Sequence, residues 1–169
     1  VDEGPQGRKQ TDFVVEKDYL VTEFKKIVSF KQCDNIEAHI NTQGEPTLYS
    51  KLVDLVRDIS SIPQVRTVSI DTNGTLLTQH YIDALVKAGL TRFNFSINAL
   101  SQELAETLAG TRININHVLK IAEYASKKAE VLIAPVLVPG INEKELEAII
   151  DFAKSINARI GIQNFLNYK

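Results

Sequence analysis

Beyond its first dozen residues the sequence alternates between two hydrophobic rhythms. Tyr19, Leu20, Phe24, Ile27 and Val28 recur at the spacing of a helix with one buried face. Residues 36–43 then set apolar and polar side chains alternately, the period of a strand. Four further strand-like runs follow at 65–73, 92–98, 130–138 and 159–165. Amphipathic helices are predicted between them at about 48–59, 79–88, 102–108 with 115–127, and 143–155. Strands that alternate with helices of this length are parallel and joined by crossovers, so the fold class is α/β.

Local signals agree with these boundaries. Thr78 and Ser101 stand where N-caps are expected, and Gly89 follows a helix end. Asn142 precedes an acidic first turn. Residues 1–12, rich in Gly, Pro, Gln and charge, read as an irregular loop. No linker divides the remainder, so 13–169 is expected to form one domain.

Three strands carry polar residues at every second position. Glu37, His39, Asn41 and Gln43 share one face, as do Ser69, Asp71 and Asn73, and Asn94, Ser96 and Asn98. Parallel strands covered on both sides read as continuous apolar runs, and these do not. With Ile36, Ala38, Ile40, Val68, Ile70, Phe93, Phe95 and Ile97 turned to the helices, the polar set lines a concave interior. So many buried polar groups need partners: one another, water or a ligand.

Apolar residues make up 44% of the chain and charged ones 24%, as in a globular domain with a real core. The formal net charge of −2, with both signs interspersed, gives no footprint for nucleic acid or an anionic membrane. No apolar run is long enough to span a membrane. The single Cys33 excludes an internal disulfide and cannot alone hold a metal; a reducing, cytoplasmic setting is expected. His39, His80 and His117 are too scattered for a mononuclear metal site, though His39 lies on the polar face. There is no Gly-rich phosphate loop.

The loops at the carboxyl ends of parallel strands are where ligands bind in α/β sheets and barrels. Gln43-Gly44-Glu45-Pro46, at the first of these, resembles the Gly-Gly-Glu-Pro motif of radical S-adenosylmethionine (SAM) enzymes, with Gln for the first Gly. Asp71-Thr72-Asn73-Gly74 resembles the Thr-Asn-Gly that ends their next strand. Thr91 through Asn98 resembles their fourth strand, and Val136-Leu137-Val138-Pro139-Gly140-Ile141-Asn142 their fifth strand and turn. The four stretches occur in the family's order.

The resemblance implies a partial, TIM-like (β/α) barrel of five parallel strands in chain order, its first strand and cluster loop missing. The family ligates a 4Fe-4S cluster with three cysteines in a Cys-x-x-x-Cys-x-x-Cys loop; this chain holds none of them and is expected to be inactive alone. SAM bound to the cluster yields a 5'-deoxyadenosyl radical, with electrons from a donor protein. By position, Gln43, Gly44, Glu45 and Pro46 would meet the methionyl ammonium through backbone, and Thr72 and Asn73 its carboxylate or the substrate. Ser96 and Asn98 would bond the ribose, Val138 with its neighbours would pack on adenine, and Gln163 would complete that side. Glu37, His39, Asn41 and Asp71 are the candidate substrate contacts. Two other readings fit the same residues: a (β/α)-barrel lyase or aldolase with Glu37 and Asp71 as acid and base, and a non-catalytic ligand-binding domain.

Overall fold

The computed structural model describes residues 14–42 and 44–165. The expected loop at 1–12, the domain start at Phe13 and the candidate contact Gln43 lie outside the described residues. In chain order the elements are α1 (Lys17–Lys31), β1 (Ile36–Ile40), a 3-10 turn (Pro46–Leu48), α2 (Leu52–Ser60), β2 (Val65–Thr72), α3 (Gln79–Ala88), β3 (Arg92–Phe95) and α4 (Gln102–Ala109). Then come α5 (Ile115–Ser126), β4 (Glu130–Ile133), β5 (Val136–Leu137), a second 3-10 turn (Glu143–Glu145), α6 (Leu146–Ser155), β6 (Arg159–Ile160) and β7 (Gln163–Asn164).

Five strands pair in parallel in chain order, β1-β2-β3-β4-β6, with β5 passed over and paired to β7 instead. This is a partial (β/α) barrel. Its register places like with like: Ala38 opposite Val68, Ile70 opposite Phe93, and Phe93 opposite Val131. On the other face His39 lies opposite Ser69, and Asp71 opposite Asn94. The apolar face of the strands and Leu52, Val56, Ile82, Leu85, Val118 and Ile149 from the helices make one buried core.

The expected strands at 130–138 and 159–165 are each divided. Gly161, Gln163 and Phe165 donate in turn to the carbonyls of Ile133, Pro135 and Leu137, so half of the ladder runs on unbroken. Pro135 has no N–H to return, and regular pairing lapses there before β5 and β7 pair as a separate short ribbon. The expected strand 92–98 also ends early, at Phe95. Pro46 starts a 3-10 turn, so the helix expected from Leu48 begins only at Leu52. In α1 the buried stripe runs through Val21 and Val28, with Leu20 and Phe24 packed beside it; Tyr19 and Ile27 are exposed.

Caps divide in the same way. Thr78 accepts from the Tyr81 amide at 3.1 Å, and Gly89 ends α3 in the left-handed region. Neither Ser101 nor Asn142 makes a side-chain cap bond, because both side chains are engaged elsewhere, Ser101 with Glu145 and Asn142 with the backbone of Asn98, Val136 and Val138.

Two glycines test how tightly the loops are packed. Gly74 (φ 75°) and Gly110 (φ 64°) share left-handed backbone, which costs an alanine about 1 kcal/mol. A Cβ at Gly74 would also stand 3.0 Å from the Phe95 ring and 3.1 Å from Val118, whereas at Gly110 it would meet nothing within 4 Å. Gly74→Ala should therefore lose at least ~1 kcal/mol more than Gly110→Ala in urea unfolding. Equal losses would refute the close packing under the loop after β2.

Candidate functional site

Glu45 is the hub of the carboxyl edge. One oxygen, Oε1, accepts from the Thr47 amide (3.1 Å), the Thr47 hydroxyl (2.6 Å) and the Thr72 hydroxyl (2.8 Å). The other, Oε2, accepts from the Asn73 amide at 2.8 Å. The acidic residue of the Gly-Glu-Pro turn thus ties the loop after β1 to the end of β2. Gly44 remains exposed, and among the described residues none donates to its carbonyl.

Thr72 is 2% exposed and its hydroxyl is fully used, donating to Glu45 and accepting from the Gly74 amide at 3.0 Å. Asn73 is exposed, its Oδ1 accepting from the amide (2.9 Å) and hydroxyl (2.6 Å) of Thr75. Of the two, only the Asn73 side chain offers further donors to a ligand. The Thr72 carbonyl accepts from the Ser96 amide at 2.9 Å, and the Ser96 side chain is exposed.

Beyond β3 a second set of side chains takes over. Asn98 Oδ1 accepts the Val136 amide at 2.8 Å. Asn142, 2% exposed, accepts the Val138 amide (2.8 Å) and donates to the carbonyls of Val136 and Asn98, both at 2.9 Å. Glu145 accepts from the amides of Leu100 and Ser101 and from the Ser101 hydroxyl, so it ties the second 3-10 turn to the segment leading into α4. Val138 is half-buried and Gln163 exposed at this end. Sequence reasoning missed Glu145 and took Asn142 for a helix cap. The Pro-Gly turn before Asn142 was a visible signal; the distant partners Asn98, Leu100 and Ser101, more than 40 positions away, were not.

On the concave face six side chains close a ring. Asp71 faces His39 Nε2 at 3.2 Å; His39 Nδ1 meets the Ser69 hydroxyl at 2.8 Å; Ser69 donates to Glu37 at 2.7 Å. Arg92 bonds Glu37 and, through Nε, Asn94 at 3.0 Å, and Asn94 donates to Asp71 at 2.8 Å. The Ser69 proton goes to Glu37, so His39 Nδ1 is the donor toward Ser69. Asn41 is exposed just past β1, above this ring.

The ring limits the chemistry. The Ser69 hydroxyl, then the Arg92 guanidinium, hold the Glu37 carboxyl below the usual glutamate range against the opposing effect of burial. A carboxylate so held is a poor general acid, which removes the support for the lyase or aldolase reading. Ser69, His39 and Asp71 line up like a nucleophile, base and orienter, but Ser69 is fully buried and spends its proton on Glu37.

Among the described residues no three His, Cys, Asp or Glu side chains converge to hold a metal, and Cys33 is exposed at the amino edge. No helix of the described residues is long and apolar enough to cross a membrane. Two open clefts of about 310 and 550 Å³ lie at the amino edge, beside Gln64 and Arg159 respectively, away from the motif loops.

Residues 7–153 match the family model described as the radical SAM superfamily. An uncharacterised protein of Methanocaldococcus jannaschii is 44% identical over 172 residues, 99% of this chain and 40% of that protein. The GTP 3',8-cyclase of Limosilactobacillus fermentum is 34% identical over 160 residues, 92% of this chain and 46% of the enzyme. The chain thus spans less than half the length of these relatives. Among solved structures, SuiB of Streptococcus suis with S-adenosylmethionine bound superposes with a TM-score of 0.68 at 19% identity, covering 88% of this chain and 34% of SuiB. The coproporphyrinogen III oxidase HemN of Escherichia coli, a radical SAM enzyme, gives 0.63 at 13% identity, over 92% of this chain and 40% of HemN. These likenesses are of fold.

Two outcomes follow from the carboxylates. Glu45→Gln turns an amide NH2 toward a bonded donor and should cost about 1–3 kcal/mol in urea unfolding; a neutral result would mean that the loops are held by other contacts. For Glu145, burial raises the pKa, but the Ser101 hydroxyl and the amides of Leu100 and Ser101 outweigh it and hold it below the usual value. A carboxyl depressed on folding stabilises fully above its unfolded pKa, and that stability is lost as pH falls through the folded value. Glu145→Gln should flatten part of the stability loss below the ordinary glutamate value of 4.5. An unchanged acid limb would show that Glu145 does not hold Leu100 and Ser101 in solution.

Proposed function

The chain belongs to the radical SAM superfamily, and from that premise we propose that it is the portion of a radical enzyme that holds S-adenosylmethionine. The observation that carries the reading is the state of the carboxyl edge. Amides of Asn73, Gly74, Ser101, Val136 and Val138 are taken by the side chains of Glu45, Thr72, Glu145, Asn98 and Asn142, while Gly44 is exposed and its carbonyl accepts from none of the described residues. A free acceptor in that place suits the ammonium of a methionyl group.

Other residues fit the remaining parts of the ligand. The exposed Ser96 hydroxyl and the Asn98 amide nitrogen suit ribose hydroxyls, half-buried Val136 and Val138 offer an apolar surface for adenine, and exposed Gln163 borders it. Asn73 supplies an amide for the methionyl carboxylate, a role the buried Thr72 can serve only by holding the loop. Bound SAM supplies, on one-electron reduction beside an iron-sulfur cluster, a 5'-deoxyadenosyl radical for hydrogen abstraction. The cluster itself does not fit this chain: its one cysteine, Cys33, stands exposed at the opposite edge. Cluster ligands and the docking of an electron-donor protein are assigned to the rest of the protein.

Asn41, with His39 and Asp71 beneath it, faces the space under this edge and is assigned to the substrate, with Glu37 fixing Arg92 below. The match to the radical SAM family model supports the cofactor reading. The likeness to GTP 3',8-cyclases covers under half of those enzymes and carries no substrate with it.

The test is anaerobic reconstitution of the complete gene product with iron and sulfide. A 4Fe-4S absorption spectrum and 5'-deoxyadenosine formed from SAM on reduction are expected. Asn98→Ala should weaken SAM binding by about 1–3 kcal/mol with the cluster spectrum intact, since it removes a ribose contact and frees the Val136 amide. A cluster-loaded protein that leaves SAM intact on reduction would overturn the proposal.

A further inference from the structure

We propose that Asn142 is a positioning residue for the adenosine end of SAM, an inference that rests on the cofactor reading above. The need for it arises where β3 leaves the sheet. The last regular contact there is Ala134 N–H to the Phe95 carbonyl at 2.9 Å, after which the chain turns away, with Ile97 N–H bonding back to Phe95. On that side Val136 has no neighbouring strand, and β5 is only two residues long.

Two asparagines stand in for the lost strand. Asn98 Oδ1 takes the Val136 N–H, and Asn142 Nδ2 takes the Val136 carbonyl. The same Asn142 carboxamide accepts the Val138 N–H and donates its other proton to the Asn98 carbonyl. Its orientation is therefore determined, because a flipped amide would set its oxygen against two carbonyls and its NH2 against an N–H. With 2% exposure, water cannot replace these bonds. Asn142 locks the backbone on both sides of Leu137, and thus the half-buried Val136 and Val138 side chains that would meet the adenine.

The role is one of geometry. Adenine stacking on small apolar side chains depends on their placement, so a backbone freed at Val136 and Val138 loses the nucleoside without touching the methionyl end at Gly44. Nothing in the family resemblance assigned Asn142 a part in ligand binding.

The test uses the anaerobically reconstituted complete gene product and two variants. Asn142→Ala removes the carboxamide; Asn142→Asp keeps its volume but turns an acceptor toward two carbonyls. Both should weaken binding of SAM and S-adenosylhomocysteine at least tenfold while methionine binds within twofold of wild type, and Asp should be no milder than Ala. Amide hydrogen exchange at Val136 and Val138 should rise at least tenfold, with β2 unchanged. Variants that bind SAM like a wild type that itself binds it overturn this inference alone. So does a methionine loss equal to the SAM loss with exchange raised across the whole sheet, for that marks a residue that only stabilises the fold. A wild type that binds no SAM overturns the cofactor reading itself, and this inference with it.

Discussion

A parallel sheet has to release its chains at the carboxyl edge, where the ladder that satisfied each backbone amide stops. In this protein the Glu45 carboxylate solves that problem for β1 and β2 together, accepting from two backbone amides and two threonine hydroxyls on both loops. Charge-assisted bonds of this kind are stronger than neutral ones, and four on one group hold two irregular segments in a single arrangement. Thr72 extends the hold inward, since its buried hydroxyl links Glu45 to Gly74, and Gly74 in turn sits against Phe95 in the core. The rim is thereby coupled to the packing under it. A ligand that binds here meets loops already ordered and does not have to pay their entropy.

The concave face solves a different problem. Six polar side chains turned away from the helices would be costly if left unpaired, and among the described residues no buried side-chain nitrogen or oxygen lacks a partner. The closed ring from Asp71 through His39, Ser69, Glu37, Arg92 and Asn94 accounts for that. Its two carboxylates, Glu37 and Asp71, are each held by hydrogen-bond donors from the ring, Glu37 by Ser69 and Arg92 and Asp71 by Asn94. Such a floor is rigid and chemically quiet, which suits a fold whose reactive chemistry comes from a bound cofactor.

How much of this could be read from the chain depends on the range of the interaction. Period-two polarity in β1, β2 and β3 identified both faces of the sheet, because strand geometry translates directly into sequence spacing. Thr78 and Gly89 were legible as caps for the same reason, being local. Ser101 does not follow that rule, since its hydroxyl serves Glu145, just before α6, and not an amide of α4. The division of 130–138 at Pro135 was visible in principle from the missing donor, yet the run looked continuous because the residues on both sides of the proline are apolar. Among the candidate contacts, Asn98 and Thr72 have the expected place at the rim, but their oxygens are engaged by backbone or by Glu45, which no spacing rule could reveal.

The direction of those hydrogen bonds also decides what kind of ligand the edge can take. In many barrels and α/β sheets, free loop amides and helix N-termini at the carboxyl edge make a cradle for phosphate. Here the amides of Thr47, Asn73, Gly74, Thr75, Leu100, Ser101, Val136, Val138 and Gly140 all point into oxygens of neighbouring side chains. The amides of Leu100 and Ser101, just before α4, are filled by the Glu145 carboxylate. With these nine donors consumed internally the rim is a poorer cradle for an anion, while the Gly44 carbonyl accepts from none of the described residues. A free carbonyl in that place attracts an ammonium or hydroxyl. The same bonds that hold the loops in place therefore shape the polarity of the site, and the proposed methionyl ligand would meet the Gly44 carbonyl with its ammonium.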